Sequence, residues 1–148
     1  MSKTAAARTN SRLRPRDTYG TPRPFWLALD HEFHFTVDVA ADHAYHMTPR
    51  YYTPDENGLL QSWAGEVVWC NPPYSDIAPW VAMARAEREN GATTVLLLPA
   101  RTDSPWWHEH VWGIADEIRW CRGRLRFLDK GSAPHASVLV IYRSRKGE

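Results

Sequence analysis

The apolar positions of this chain fall into short runs of strand character separated by stretches of helical period. Val67-Val68-Trp69-Cys70 is β-branched and aromatic, so Glu66–Cys70 is expected to form a buried strand. Thr93–Leu98 is the clearest buried strand and ends at Pro99, and Phe35-Thr36-Val37-Asp38-Val39 predicts another that ends in Ala40-Ala41-Asp42. Thr21-Pro22-Arg23-Pro24 opens a short helix to about Glu32, with Phe25, Trp26 and Leu29 on one face. From Ile77 to about Glu89 the residues Ile77, Trp80, Val81 and Ala84 share a helical face, and Asn90-Gly91 stops the helix. A long connection marked by prolines and aromatics runs to about Glu56, followed by a short element from Leu59 to Trp63. A tryptophan-rich helix is expected from Ser104 to about Trp112, then closing strands at Glu117–Cys121, Leu125–Leu128 and Ser137–Tyr142. Strand–helix–strand alternation with closing strands predicts an α/β fold, a three-layer mixed sheet with an antiparallel end.

At 148 residues the chain makes one domain and can bury a core. A net charge of +1 decides nothing about partners, but its distribution does more. Residues 1–16 carry Lys3, Arg8, Arg12, Arg14 and Arg16 and no acid, so 1–17 is expected to be a disordered basic tail. It is either a solvated tail or an arm that contacts phosphates without sequence preference. The folded domain then spans 18–143, and 144–148 repeats the basic-tail question on a smaller scale, after Arg143. No apolar segment follows the basic start and none reaches 18 residues, so neither a signal peptide nor a membrane span is expected. Cys70 and Cys121 both lie in strand-like runs and read as small buried hydrophobes, which suits a reducing cytoplasm.

The chemistry concentrates in Asn71-Pro72-Pro73-Tyr74, directly after the Glu66–Cys70 run. Two prolines lack the N–H that a sheet needs and fix φ, so they end the strand in a rigid loop. Open α/β sheets bind ligands at that carboxyl end of the strands. The loop offers an amide oxygen, a proline carbonyl and an aromatic plate. An adenine N6 lone pair is delocalised into its ring, and two acceptors on its hydrogens favour a more pyramidal, more nucleophilic nitrogen. Asn71 and the Pro72 carbonyl supply two acceptors, and Tyr74 a stacking surface worth about 1–3 kcal/mol per base. A base in duplex DNA must first flip out to reach such a loop. The loop therefore reads as a methyl-transfer site needing no metal; the plain alternative is a strand-terminating turn.

From Thr21 to Phe127 the chain resembles the small phage-type, Dam-like DNA N6-adenine methyltransferases. The resemblance rests on Thr21-Pro22 ahead of Phe25, Phe35 to Asp42, Tyr51-Tyr52-Thr53, Gly58-Leu59 with Trp63, and Trp69 to Ser75. It continues through Leu98 to Asp103, Trp106-Trp107-His108 and Gly123-Arg124-Leu125-Arg126-Phe127, and covers about 100 residues in order. It implies a minimal Rossmann-like fold, S-adenosyl-L-methionine as methyl donor, double-stranded DNA as substrate and transfer to adenine N6. It also implies a phage- or prophage-encoded protein of the bacterial cytoplasm, in DNA methylation or restriction-modification. Asn71, Pro72, Pro73 and Tyr74 then match the catalytic loop, Thr21-Pro22 an element beside the cofactor's methionine end, and Asp38, Ala40 and Ala41 the first cofactor-binding loop. The chain departs from the wider pattern there, because it contains no Gly-x-Gly. No acid follows an obvious second strand to grip the ribose, with Asp55 and Glu56 as weak substitutes.

Arg101-Thr102-Asp103 follows the Thr93–Leu98 strand, so it belongs to the rim of the NPPY loop, to contact a phosphate, order the loop or cap the next helix. Arg124 and Arg126 alternate onto one face, as a DNA-backbone ridge or an exposed strand face. His31, His34, His43 and His46 lack the spacing and cysteine partners of a zinc site. His108 and His110 read as helix surface or a general base, Trp69 and Trp80 as core, and Trp106 and Trp107 as core or a stacking rim. Two other functions compete: transfer to another amino acceptor (cytosine N4 or protein glutamine), and a non-catalytic DNA-binding module on a degenerate methyltransferase fold.

Overall fold

The computed structural model describes residues 20–127, 131–132 and 135–146, with the backbone alone at 126–127 and 131–132. The basic segment 1–17 and residues 147–148 lie outside the described residues.

Among the described residues seven strands form two sheets: β1 (Val37–Asp38), β2 (Val67–Cys70), β3 (Thr93–Pro99), β4 (Glu117–Trp120), β5 (Arg126–Phe127), β6 (Gly131–Ser132) and β7 (Ser137–Tyr142). The main sheet has the order β1-β2-β3-β7-β4. β1, β2 and β3 run parallel, with Val37 opposite Val68 and Trp69 opposite Val95. β7 runs antiparallel to both β3 and β4, so β4 points the same way as the first three strands. The antiparallel end expected from sequence is present, with one difference. Of the strand expected at Leu125–Leu128, the described residues do not join the main sheet; Arg126–Phe127 pairs instead with Gly131–Ser132 in a separate sheet.

Side-chain alternation along the strands divides the core into two layers. Val68 and Cys70, Leu96 and Leu98, and Val138, Val140 and Tyr142 point to one face. Trp69, Val95, Leu97, Leu139 and Ile141 point to the other. α1 (Arg23–Phe33) covers the second face through Trp26 and Leu29, with Phe25 half-buried beside them. α2 (Ala78–Glu87) covers the first through Trp80, Val81 and Ala84. Pro24 and Pro79 sit in the first turns of these helices, where their missing N–H groups cost nothing. The result is a mixed α/β sheet with helices on both faces.

The tryptophan-rich helix differs in kind from the expectation, since Trp107–Val111 is a π-helical turn. Trp106 and Trp107 are both core residues. Cys70 is buried, whereas Cys121 falls one residue past β4 and is half-buried; both are free thiols. The segment expected as a basic C-terminal tail is tied to the body as far as it is described. The Ser144 N–H donates to Thr93 Oγ1 at 3.0 Å and Arg145 pairs with Asp116 at 2.8 Å. Among the described residues no helix is long and apolar enough to cross a membrane.

Candidate active site

Because β1, β2 and β3 are parallel, their carboxyl ends share one edge, where β1 ends at Asp38 and Asn71 and Ala100 follow β2 and β3. Beside this edge lies a cavity of about 360 Å³, within the range typical of small-molecule sites. Its lining draws on three of the segments singled out from sequence: Thr21 before α1, Asp38, Ala40 and Ala41 after β1, and Asn71 and Pro73 after β2. Pro22 is only the residue that precedes α1, and neither Pro72 nor Tyr74 belongs to the lining.

Asp38 is the buried charge of this site, 3% exposed. Its Oδ2 accepts the Met47 N–H at 2.9 Å and its Oδ1 the Ala40 N–H at 3.3 Å. Its backbone continues the tie: its N–H donates to the Arg50 carbonyl and its carbonyl accepts from Tyr52. One residue thereby folds the chain from 39 to 52 over the end of β1. Burial outweighs the two N–H donors and pushes the Asp38 carboxyl up from 3.8 to about 7.

The turn after β1 does without glycine for a visible reason. The Val39 N–H donates to the Trp69 carbonyl, the Ala41 N–H to the Tyr52 carbonyl and the Ala40 N–H to Asp38. Its amides are spent on internal bonds, whereas a glycine-rich loop bares amides to a phosphate. The close approach is made elsewhere. A Cβ on Gly58 would stand 2.1 Å from the Val39 carbonyl oxygen, so only glycine admits the 3₁₀ turn Gly58–Leu60 against β1. The Trp63 indole N–H donates to the Gly58 carbonyl at 2.9 Å and holds that turn from below.

Asn71 Nδ2 donates to Thr21 Oγ1 at 3.2 Å, which fixes the amide so that Oδ1 is its acceptor end. Tyr74 is 2% exposed and belongs to the core face under α2, with its ring against that of His135 (centroids 5.3 Å apart, planes at 59°). The Arg101 guanidinium donates to the Tyr74 carbonyl at 2.9 Å, so Arg101 orders the loop. Arg124 is exposed, and the Arg126 side chain lies outside the described residues. His108 is exposed and hydrogen-bonds the Thr102 carbonyl at 2.8 Å. Glu56 accepts from the Thr53 N–H and hydroxyl and lies outside the lining, as does Asp55.

Sequence reasoning missed Tyr45, Met47, Asn57 and Gly58 as lining residues and assigned Trp69 and Trp80 to the core alone. Gly58 was within reach, since a glycine between Asn57 and Leu59 marks a tight approach; nothing local marks Tyr45 or Met47. His135 carried no signal at all.

A mixed α/β sheet with a largely apolar cavity at its carboxyl edge, one buried acid and an Asn-Pro-Pro-Tyr loop defines a small-ligand-binding α/β protein. The family model described as DNA N-6-adenine-methyltransferase (Dam) matches residues 8–148, and the chain belongs to that family. A DNA N-6-adenine-methyltransferase of Haemophilus phage HP1 (strain HP1c1) is 25% identical over 127 residues, 82% of this chain and 72% of the relative. A DNA N-6-adenine-methyltransferase of Escherichia phage T1 is 30% identical over 119 residues, 79% of this chain. The aligned part is half the length of the T1 relative.

Proposed function

We propose that the protein is a phage-encoded methyltransferase that transfers a methyl group from S-adenosyl-L-methionine to N6 of adenine in double-stranded DNA. The observation that carries this reading is the convergence of Thr21, Asp38, Ala40, Ala41 and Asn71, drawn from three separate segments, on one cavity. The donor set suits the cofactor: a buried carboxylate for an ammonium or sulfonium, Trp69, Trp80, Tyr45 and Met47 for apolar and π surface, and no phosphate-binding amides. S-adenosyl-L-methionine supplies, when bound, a methyl carbon made electrophilic by its sulfonium.

The remaining work belongs to the chain. Thr21 orients the Asn71 amide, and Asn71 Oδ1 with the Pro72 carbonyl accept the two hydrogens of the adenine amino group. That draws N6 toward a pyramidal, nucleophilic form; transfer would exchange the donor's carbon–sulfur bond for the new nitrogen–carbon bond, and the N6 proton so released would pass to solvent. Tyr74, held through its carbonyl by Arg101, provides the base-stacking ring for a nucleotide flipped from the duplex. Arg101 and Arg124 are exposed and suit backbone phosphates, and Arg126 is proposed with them from sequence alone. The protein acts inside the phage's bacterial host.

The test is transfer of labelled methyl to unmethylated duplex DNA followed by nucleoside mass spectrometry. N6-methyladenine in DNA is the expected product; N4-methylcytosine, or label in protein alone, overturns the acceptor assigned here. Asn71→Ala is expected to lower turnover by at least about a hundredfold, the loss typical of a single transition-state donor or acceptor, with melting temperature retained. Undiminished turnover in that variant would show that the Asn71 amide is not the acceptor.

A further inference from the structure

Residues 100–104, the loop after β3, are joined to the Asn-Pro-Pro-Tyr loop through Arg101, whose guanidinium donates to the Tyr74 carbonyl at 2.9 Å. A guanidinium fixes that carbonyl only as well as its own backbone is fixed. Residues 101–103 are exposed, so side-chain packing does not hold them. Hydrogen bonds do. The Arg101 N–H donates to the Pro99 carbonyl at 2.8 Å, and the Arg101 carbonyl accepts the Ser104 N–H at 3.1 Å. The middle of the loop is tied by a side chain: His108 Nε2–H donates to the Thr102 carbonyl at 2.8 Å. A carbonyl only accepts, so Nε2 carries the proton in that bond.

The element that carries His108 is firmly seated. Trp106, Trp107 and Val111 are all buried, in the same core cluster as Tyr74. Trp107–Val111 is a π-helical turn, closed by the Trp112 N–H on the Trp107 carbonyl at 2.8 Å, and such turns occur mostly at functional sites. The Tyr142 hydroxyl donates to the His110 carbonyl, and Arg85 donates to the Glu109 carbonyl at 3.0 Å. β7 and α2 therefore both grip the turn. His108 is exposed on this platform, and its imidazole carries the position of the core to a surface loop.

We propose that His108 is a positioning residue for the Asn-Pro-Pro-Tyr loop: it fixes the Thr102 carbonyl, hence the Arg101 backbone, hence the Tyr74 carbonyl that Arg101 holds. This rests on the methyltransferase reading and adds a residue that acts through two others, touching neither base nor cofactor. The path from imidazole to loop is short, two hydrogen bonds joined by the Thr102–Arg101 peptide link. The role needs only the Nε2–H, which imidazole and imidazolium both offer, so it brings no pH dependence of its own. A general base would have to be neutral and would set one limb of the pH–rate profile.

The experiment compares wild type with His108→Ala, His108→Gln, Arg101→Ala and the His108→Ala, Arg101→Ala double variant by two readouts. The first is amide hydrogen exchange of the protein alone, which needs neither DNA nor methyl donor. Exchange at Tyr74, Ser75 and Asp76 is expected to quicken about three- to tenfold in His108→Ala and in Arg101→Ala, and no further in the double variant. His108→Gln keeps a donor of similar reach and is expected to exchange as wild type does. Exchange in β3 and β7 is expected to stay unchanged throughout, which separates the effect from a general loss of stability. Faster exchange confined to residues 100–104, with residues 74–76 unaltered, overturns the proposal. The second readout is steady-state methylation of duplex DNA. There kcat is expected to fall about three- to tenfold in His108→Ala and recover in His108→Gln, with KM for S-adenosylmethionine unchanged. In the Arg101→Ala background the loss of His108 is expected to add little, and fully additive losses overturn the proposal. A His108→Gln enzyme as slow as His108→Ala, with an altered pH–rate profile, also overturns it, because His108 would then carry a proton. Absence of methylation by wild type, with the exchange coupling intact, would sink the methyltransferase reading and leave the brace from His108 to the loop standing.

Discussion

At the scale of single residues, Asp38 links the cavity to pH. Its carboxyl titrates at about 7 in the folded protein against 3.8 in the unfolded chain, chiefly because it is buried. The folded state therefore keeps a proton through a window in which the unfolded chain has released it, and stability falls as pH rises from about 4 to 7. A cation in the cavity favours the carboxylate and must expel that proton. Binding of S-adenosylmethionine is accordingly expected to tighten with pH between 5.5 and 7, below the range in which an α-amino group loses its own proton. The limit is about tenfold per pH unit for one coupled proton. Calorimetry in buffers of different ionisation enthalpy should show close to one proton released at pH 6, and Asp38→Asn should abolish both the release and the pH slope. Proton-neutral binding by wild type would place the cation away from Asp38. Asn71 was legible because its neighbours in sequence, a buried strand before it and two prolines after it, define its place. Its orienting partner Thr21 lies 50 positions away, and the bond between them is a product of the fold. Tyr74 read as a stacking plate from its place in the loop; that it belongs instead to the core cluster with residues of β3 and β7, its ring against His135, is a product of the fold.

At the scale of elements, the strands were legible where β-branched and apolar residues run unbroken, as in Thr93–Pro99 and Ser137–Tyr142. β1 was expected over five residues, yet only Val37–Asp38 has ladder pairing, because Val39 onward turns to build the cavity wall. The hairpin of β5 and β6 was read as a sheet strand because alternation specifies that a residue run is extended but not which neighbour it pairs with. The Gly58–Leu60 turn was seen as a short element, and its function lies in a backbone contact that no side-chain pattern encodes. Gly58→Ala tests that contact. With backbone rather than a flexible side chain 2.1 Å away, the turn must retreat from β1, at a cost of about 1–3 kcal/mol by the measure of overpacked sites. Denaturant melts should show that loss, and cofactor affinity should drop with it because Asn57 and Gly58 both line the cavity. A variant of unchanged stability and affinity would mean that the turn does not shape the site.

At the scale of the molecule, electrostatics divide the chain in a way its net charge conceals. Residues 1–16 hold five basic side chains and no acid; the rest has 13 basic against 17 acidic side chains, a net charge of −4. Several of the remaining arginines are spent within the body: Arg119 on Glu32 and Glu117, Arg88 and Arg145 on Asp116, Arg50 on Glu66. A body of negative net charge is repelled by a polyanion at long range, and the exposed Arg101 and Arg124 offset that only locally. The N-terminal segment is then the largest source of attraction to DNA in the sequence. Deleting residues 1–16 is expected to weaken DNA binding and flatten its salt dependence. Each phosphate neutralised contributes about 0.9 to the slope of log affinity against log salt, so five basic residues account for a change of up to about 4.5. The two proteins should converge in affinity at high salt and separate most at low salt, while S-adenosylmethionine binding stays the same. Filter binding or fluorescence anisotropy between 50 and 300 mM salt measures this directly. Superimposable salt curves would mean that the arm makes no phosphate contact, and the whole attraction would then have to come from the exposed arginines of the body.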